Sequence, residues 1–260
     1  MFESISLSVD ARGVAALTLN RPEKRNALSA LMIDEVTQAA KSLGADPSVR
    51  VVVLGAAGDS FCAGGDLGWM RAQMAGDAAT RADGARRLAM MLQALNTLPK
   101  PLVGRVQGQA YGGGIGLMSV CDVAVGVSGA RFGLTETRLG LTPATIGPYV
   151  VARMGEAMAR RVFFSARLFD AAEAACLGLL ARVVEASELD AAVEAEVAPY
   201  LACAPGAVAE AKALIRMLSP APDTAQIEAS IAALVTRWES FESAEGIAAF
   251  FEKRRPDWAI

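Results

Sequence analysis

The sequence predicts an α/β core followed by an all-helical C-terminal region. Through the first two-thirds of the 260 residues, short apolar runs alternate with helical patterns, as in repeated βα units. After about residue 186 the strand signals disappear, and amphipathic helical patterns continue to Phe251. We therefore divide the chain into a core, residues 1–186, and a helical region, residues 187–260.

The predicted strands of the core are short and rich in apolar residues. The first two form a hairpin across the turn-prone sequence Asp10-Ala11-Arg12-Gly13. Because repeated βα units favour parallel pairing, we expect a mostly parallel sheet. The predicted strands cover residues 5–9, 14–19, 49–54, 102–106, 123–125 and 180–184.

Two of the predicted helices have a recognisable start. Ser29 is suited to cap a helix that stops at Gly44. Ser187 and Asp190 have capping-box-like spacing at the start of a second helix. The apolar stripes are Met32, Val36, Ala39, Ala40 and Leu43 in the first helix, and Leu189, Val193, Val197 and Leu201 in the second. Two or three more amphipathic helices complete the C-terminal region.

Composition excludes several kinds of chemistry. The chain has no histidine, which excludes histidine-dependent triads and histidine metal sites. Its four cysteines include no C-x-x-C pair, which indicates a reducing compartment, and we expect a cytoplasmic location. A net charge of −3 gives no reason to expect nucleic acid or a membrane as partner. We expect neither a metal nor a redox cofactor.

A glycine-rich segment, G-Q-A-Y-G-G-G-I-G-L-M-S-V-C-D, occupies residues 108–122. It follows a predicted strand and leads into an apolar helical run. Three successive glycines lose much backbone entropy on folding, so their presence indicates a structural or functional requirement for glycine at this place. Either a ligand approaches exposed backbone N–H groups there, or the strand and the helix pack tightly together. The segment alone leaves both interpretations open.

Two further segments carry residues suited to chemistry. F-C-A-G-G-D-L, residues 61–67, fits a turn with outward N–H groups, or a plain strand-to-helix turn with Asp66 near the helix start. In A-R-F-G-L-T-E-T-R-L-G-L-T-P, residues 130–143, Glu136 lies between apolar residues. Glu136 is either a desolvated carboxylate with a raised pKa, suited to proton transfer, or an ordinary glutamate paired with Arg138.

In this order and spacing, the three segments resemble those of the crotonase (enoyl-CoA hydratase/isomerase) superfamily. N-R-P-E-K-R-N-A-L at residues 20–28 and F-F-E-K-R-R-P-D-W at residues 250–258 extend the resemblance over essentially the whole chain. The resemblance implies a crotonase-type spiral of ββα units with a C-terminal helical region, usually assembled as a homotrimer or homohexamer. It also implies an acyl-CoA thioester as substrate, with coenzyme A as part of that substrate.

The resemblance assigns catalytic roles to three residues. By motif position, the backbone N–H groups of Gly65 and Gly113 hold the thioester carbonyl oxygen, and Glu136 transfers a proton. Gly116 stands where two-carboxylate hydratases of this family carry a second glutamate. Three interpretations stay open. They are a one-carboxylate enoyl-CoA hydratase with space beside Gly116 for a water or polar substrate group, a one-base double-bond isomerase, and a non-catalytic binding protein.

The motif segments also look similar to bacterial methylglutaconyl-CoA hydratases of leucine breakdown, in which a glycine likewise replaces the first glutamate. We therefore expect a branched 2-enoyl-CoA whose own carboxylate is steered by Arg138. The residues expected to bind the substrate are Arg25, Ala63, Asp66, Trp69, Tyr111, Gly116, Arg138, Phe251 and Lys253. Met70, Leu141 and Ile146 are further candidates for the acyl pocket.

Overall fold

The larger of two sheets carries the strands that the sequence predicts. The computed structural model describes residues 2–219 and 222–259. Its strands are β1 (Ile5–Val9), β2 (Val14–Leu19), β3 (Val51–Ala56), β4 (Ser60–Cys62), β5 (Leu102–Val106), β6 (Gln109–Tyr111), β7 (Val123–Val127), β8 (Arg131–Gly133), β9 (Phe169–Asp170) and β10 (Arg182–Val184). The larger sheet has the order β1-β2-β3-β5-β7-β10. Only β1 and β2 pair antiparallel in it, which confirms the predicted hairpin and parallel core.

Two strands of this sheet begin later than predicted. Residues 49–50 precede β3, because the amide of Val49 closes a turn onto the carbonyl of Asp46. In β10, the amide of Leu180 bonds to the carbonyl of Ala174 at the end of a helix, so the strand starts two residues further on. In both places a local turn takes the backbone groups that strand pairing would need.

A smaller sheet has no counterpart in the sequence prediction. It has the order β4-β6-β8-β9, and its strands are two or three residues long. Strands of that length are too short to show an alternating pattern. β4-β6 and β6-β8 are parallel pairs, whereas β8 and β9 pair antiparallel.

The described chain contains eleven α-helices. They are α1 (Ala30–Ala45), α2 (Leu67–Ala75), α3 (Ala78–Asn96), α4 (Gly113–Ser119), α5 (Gly147–Met154), α6 (Glu156–Ala159), α7 (Ala171–Cys176), α8 (Leu189–Leu201), α9 (Pro205–Leu218), α10 (Thr224–Trp238) and α11 (Phe241–Glu252). Ser29 caps α1, as predicted, by accepting a hydrogen bond from the amide of Met32 at 3.2 Å. None of the helices within the described residues combines the length and apolar character that a membrane span requires.

The predicted capping box at Ser187 and Asp190 is wrong. Residues 186–188 form a 3-10 turn before α8, so Ser187 lies inside a turn and cannot take the extended backbone of a cap. The reciprocal side-chain bonds are made instead by Glu185 and Glu188. Four helices, α8 to α11, follow the last strand, in agreement with the predicted helical C-terminal region.

Candidate active site

Three parallel strands of the smaller sheet bring the three motif segments together. Because β4, β6 and β8 are parallel neighbours, their carboxyl ends meet at one edge of the sheet. The chain continues from those ends into residues 63–65, residues 112–113 and residues 135–136. All three segments line a single cavity of about 470 Å³.

Most residues that line the cavity are apolar. Of those that the structure describes there, only Glu136 and Arg138 carry a charge. The predicted site residues in the lining are Ala63, Gly65, Trp69, Tyr111, Gly113, Glu136 and Arg138. Met70, Leu141 and Ile146, the further acyl-pocket candidates, also line it.

The backbone around Gly65 leaves one amide without a partner. The amide of Leu28 donates to the carbonyl of Gly64 at 2.8 Å, and the amide of Asp66 donates to the carbonyl of Leu28 at 3.0 Å. In a parallel bridge of this kind, the N–H of the intervening Gly65 faces away from Leu28. Across residues 2–219 and 222–259, no protein acceptor takes that N–H.

Gly113 presents a second amide of the same kind. It is the first residue of α4, and the amides of Ile115 and Gly116 already use the carbonyl of Gly112. The first N–H groups of a helix have no partner within the helix. Nor does the N–H of Gly113 bond to any other acceptor in the part of the chain that the structure describes.

Leu28 connects the two glycine turns. Its backbone is bonded to Gly64 and Asp66 on one side. On the other, its Cδ1 atom lies 2.7 Å from the place that a Cβ on Gly113 would occupy. The absence of a side chain at Gly113 therefore lets the start of α4 approach the turn at Gly65 closely.

Glu136 is a half-buried residue with one carboxylate oxygen that is buried and unpartnered among the described residues. It begins a 3-10 turn, Glu136–Leu139, which two residues separate from the end of β8. Its Oε2 atom is buried and makes no hydrogen bond within the described chain. Burial away from water raises the pKa of Glu136 to about 7. This environment matches the proton-transfer interpretation of Glu136 and not that of an ordinary glutamate paired with Arg138.

The carboxylate of Glu136 lies against Gly112. A Cβ on Gly112 would come within 2.9 Å of Oε1. Gly112 also has φ +47°, in the left-handed region that side chains rarely adopt. The absence of a side chain at Gly112 thus lets the carboxylate of Glu136 lie against the second glycine turn. A Cβ on the next-but-one residue, Gly114, would come within 2.7 Å of the carbonyl oxygen of Cys62, so the glycine-rich segment also provides the tight packing of the alternative interpretation.

Two predicted binding residues have structural positions outside the cavity lining. The Asp66 carboxylate caps α2 by accepting from the amides of Gly68 and Trp69, and pairs with Arg21 at 3.1 Å. Gly116 is buried behind Ile146. The expectation of space beside Gly116 for a water or a polar substrate group is wrong, because the side chain of Ile146 fills it.

Three further predicted residues lie outside the lining as well. Phe251 packs under the guanidinium of Arg71, 4.4 Å from ring centroid to Cζ, and the neighbouring Phe250 lines the cavity instead. Arg25 and Lys253 are exposed and end a 3-10 turn and α11 in left-handed conformations. Their expected contacts with the acyl-CoA substrate stay predictions.

Sequence reasoning missed several residues that line the cavity. Leu234 and Trp238 on α10, and Phe250 on α11, form part of the wall. The apolar stripes of α10 and α11 predict helices, but a stripe does not predict which cavity in a distant part of the chain the helix will line.

The comparisons with known proteins identify the family. The profile of the enoyl-CoA hydratase/isomerase family matches residues 10–259. The chain belongs to this family. A putative enoyl-CoA hydratase of Thermus thermophilus is 36% identical over 256 residues, which cover 96% of this chain and 99% of the relative. A crotonyl-CoA hydratase of Syntrophomonas wolfei is 31% identical over 261 residues, which cover 99% and 98%.

Solved structures of the family share the fold. The crystal structure of a putative enoyl-CoA hydratase from Mycobacterium avium paratuberculosis matches with a TM-score of 0.88 and 32% identity, covering 98% of this chain and 99% of that one. The structural matches and the names of the relatives confirm the predictions of a crotonase-type fold and of an enzyme of the enoyl-CoA hydratase type.

Proposed function

We propose that this chain catalyses the reversible addition of water to a branched 2-enoyl-CoA that carries a distal carboxylate, such as 3-methylglutaconyl-CoA. The observation that carries the proposal is one buried carboxylate, Glu136, in the same apolar cavity as two unpartnered glycine amides. The hydratase names of the full-length relatives support the reaction class.

The two amides supply the electrostatic part of the mechanism. The N–H groups of Gly65 and Gly113 donate to the thioester carbonyl oxygen, where negative charge develops as the enolate forms. Donors held in place by the backbone need no reorganisation during the reaction, and one such donor is worth about 10²–10³ in rate.

Glu136 performs the proton transfers. In the hydration direction its carboxylate takes a proton from water while the water oxygen bonds to Cβ of the acyl group. The enolate then takes a proton at Cα from the carboxylic acid, so the hydrogen and the hydroxyl of one water are added across the double bond. A pKa of about 7 suits a group that must both accept and release a proton near neutral pH.

Arg138 is the proposed partner of the distal carboxylate. It lies in the same 3-10 turn as Glu136, lines the cavity, is exposed, and makes no ion pair among the described residues. A charge-assisted hydrogen bond contributes about 1.5–3 kcal/mol. That range corresponds to a factor of about 10–150 in kcat/KM.

The test is a comparison of substrates with and without the distal carboxylate. We expect R138Q to lower kcat/KM for 3-methylglutaconyl-CoA about 10–100-fold and to leave crotonyl-CoA within about threefold. R131Q, which removes an exposed arginine outside the cavity, is the control and should change neither value. Equal kcat/KM values of the wild type for the two substrates would contradict the carboxylate proposal.

A single carboxylate also fits the alternative reaction, a shift of the double bond by proton transfer between carbons. That reaction needs no activated water. Product identification separates the two, because a 3-hydroxyacyl-CoA indicates the hydratase and a displaced alkene indicates the isomerase.

For the whole protein we propose a cytoplasmic homotrimer or homohexamer. Support for assembly comes from α9, which buries none of its residues within the described chain. Its exposed apolar side chains are Leu214, Ile215, Met217 and Leu218. Such a patch is unusual for a monomer. A mass measurement in dilute solution tests the assembly.

A further inference from the structure

Ile146 forms part of the wall of the cavity. This residue precedes α5 and is 2% exposed, and its side chain lines the cavity. Its Cγ2 atom lies 2.7 Å, and its Cβ atom 3.1 Å, from the position that a Cβ on Gly116 would occupy. Ile146 therefore occupies the side-chain space of position 116.

The space around Gly116 is enclosed by apolar groups. Besides Ile146, Cδ1 of Leu92 lies 3.4 Å from the position of a Cβ on Gly116. Leu88, one helical turn before Leu92 on α3, lines the cavity, whereas Leu92 itself is fully buried. Ile146 thus separates the cavity from a second apolar layer behind it.

Gly116 lies on the same helix as Gly113, whose amide is the proposed donor to the thioester oxygen. Gly113 and Gly116 are three residues apart on α4, so they share one face of the helix. Gly113 presents its unpartnered amide to the cavity, and Gly116 meets Ile146 one turn deeper. The side chain at position 146 therefore closes the cavity wall beside α4, one helical turn beyond Gly113.

We infer that Ile146 and Gly116 act as a size-matched pair that sets the length of acyl group the cavity accepts. The inference rests on the proposed function, since it names what limits the substrate of that site. A smaller residue at 146 deepens the cavity, and a larger residue at 116 pushes Ile146 into it. Opposite substitutions at the two positions must then shift acyl selectivity in opposite directions.

The experiment measures a selectivity ratio, kcat/KM for 2-octenoyl-CoA divided by kcat/KM for crotonyl-CoA. One methylene in an apolar pocket changes kcat/KM by about 10–200-fold. We therefore expect I146A to raise the ratio at least about tenfold and G116A to lower it by about the same factor. The double variant I146A/G116A should lie between the two, because each change compensates for the other.

I231A is the matched control. Ile231 on α10 is 3% exposed, like Ile146, but lies outside the cavity lining, so its truncation should lower stability and leave the ratio within about twofold. If I146A does not fold, I146V replaces it, with a smaller rise of about threefold expected. Ratios within twofold of wild type for both position-146 and position-116 variants would overturn the inference, as would an equal shift in I231A.

Binding distinguishes this inference from the proposed reaction. The dissociation constants of the saturated analogues butanoyl-CoA and octanoyl-CoA report on the cavity without any turnover. If the wild type turns over no enoyl-CoA, but I146A and G116A shift the ratio of these constants in opposite directions, the proposed function is overturned and the size-matched pair is supported. If turnover is normal and the variants change neither the kcat/KM ratio nor the ratio of dissociation constants, only the size-matched pair is overturned. If no acyl-CoA binds, both proposals are overturned.

Discussion

At Glu136, burial of the carboxyl group makes the stability of the protein depend on pH. The pKa of this carboxyl rises from 4.5 to about 7 because burial disfavours the charged form. The folded protein therefore holds a proton that the unfolded chain releases between these two values. Consequently, the free energy of unfolding falls as the pH rises from about 4.5 to 7.

We expect E136Q to remove this fall in the free energy of unfolding with rising pH. Glutamine resembles the protonated acid, so the variant and the wild type should be about equally stable at pH 4.5. At pH 8 the variant should be more stable by about 2–3 kcal/mol. Chemical denaturation at both pH values measures the difference, and E23Q, at an exposed position, is the control. A difference that is the same at both pH values would contradict the burial of Glu136.

Single residues of the site were predictable where a motif fixed them. The motifs selected Gly65, Gly113 and Glu136, and the three line one cavity. Contacts between distant segments were not predictable. The packing of Ile146 into the space beside Gly116 joins residues 30 positions apart, and no local pattern records it.

At the level of elements, the smaller sheet positions the site although its strands were not predicted. Long strands and capped helices give periodic signals, whereas β4, β6 and β8 have three residues each. A similar limit applies to Phe250 and Phe251. Consecutive residues on a helix point about 100° apart, so an error of one position exchanges a cavity residue for its neighbour.

The cap of α2 provides a test at this scale. Asp66 accepts from the amides of Gly68 and Trp69, and α2 carries two cavity residues, Trp69 and Met70. We expect D66A to lower the free energy of unfolding by about 1–2 kcal/mol and kcat/KM about tenfold. Denaturation and steady-state kinetics measure the two effects.

D77A is the control for that test. Asp77 caps α3 in the same way, by accepting from the amide of Thr80 at 2.8 Å, but this cap holds no cavity residue in its first turn. D77A should lose comparable stability and keep kcat/KM within about twofold. If D66A also keeps its kcat/KM, the cap does not position the cavity wall.

In the whole molecule, the helical C-terminal region contacts the turn that carries Glu136. The guanidinium of Arg237 donates to the carbonyl of Gly140, directly after the turn that begins at Glu136. Gly140, which follows the turn, packs against the backbone of Glu242 on α11, and Gly246 on α11 packs against the backbone of Leu139 in the turn. A side chain at either glycine would not fit. The division of the chain at residue 186 stays a prediction, and residues from both sides of it line the cavity.

Similarity along nearly all of the chain identifies its family, but it does not identify the acyl group of the substrate. The family profile spans residues 10–259, and the relatives are covered almost completely. In our proposals, selectivity depends instead on a few side chains, among them Arg138 and Ile146, whose surroundings only the folded chain reveals.

Hydration by the Glu136→Gln variant tests the central claim most directly. In water labelled with ¹⁸O, the wild type should convert an enoyl-CoA into a 3-hydroxyacyl-CoA that carries one labelled oxygen. The variant should bind the corresponding saturated acyl-CoA with a dissociation constant within about threefold of wild type, yet lose at least about 10²-fold in kcat. Labelled product formed by the variant at the wild-type rate would contradict the assignment of Glu136 as the group that moves the proton.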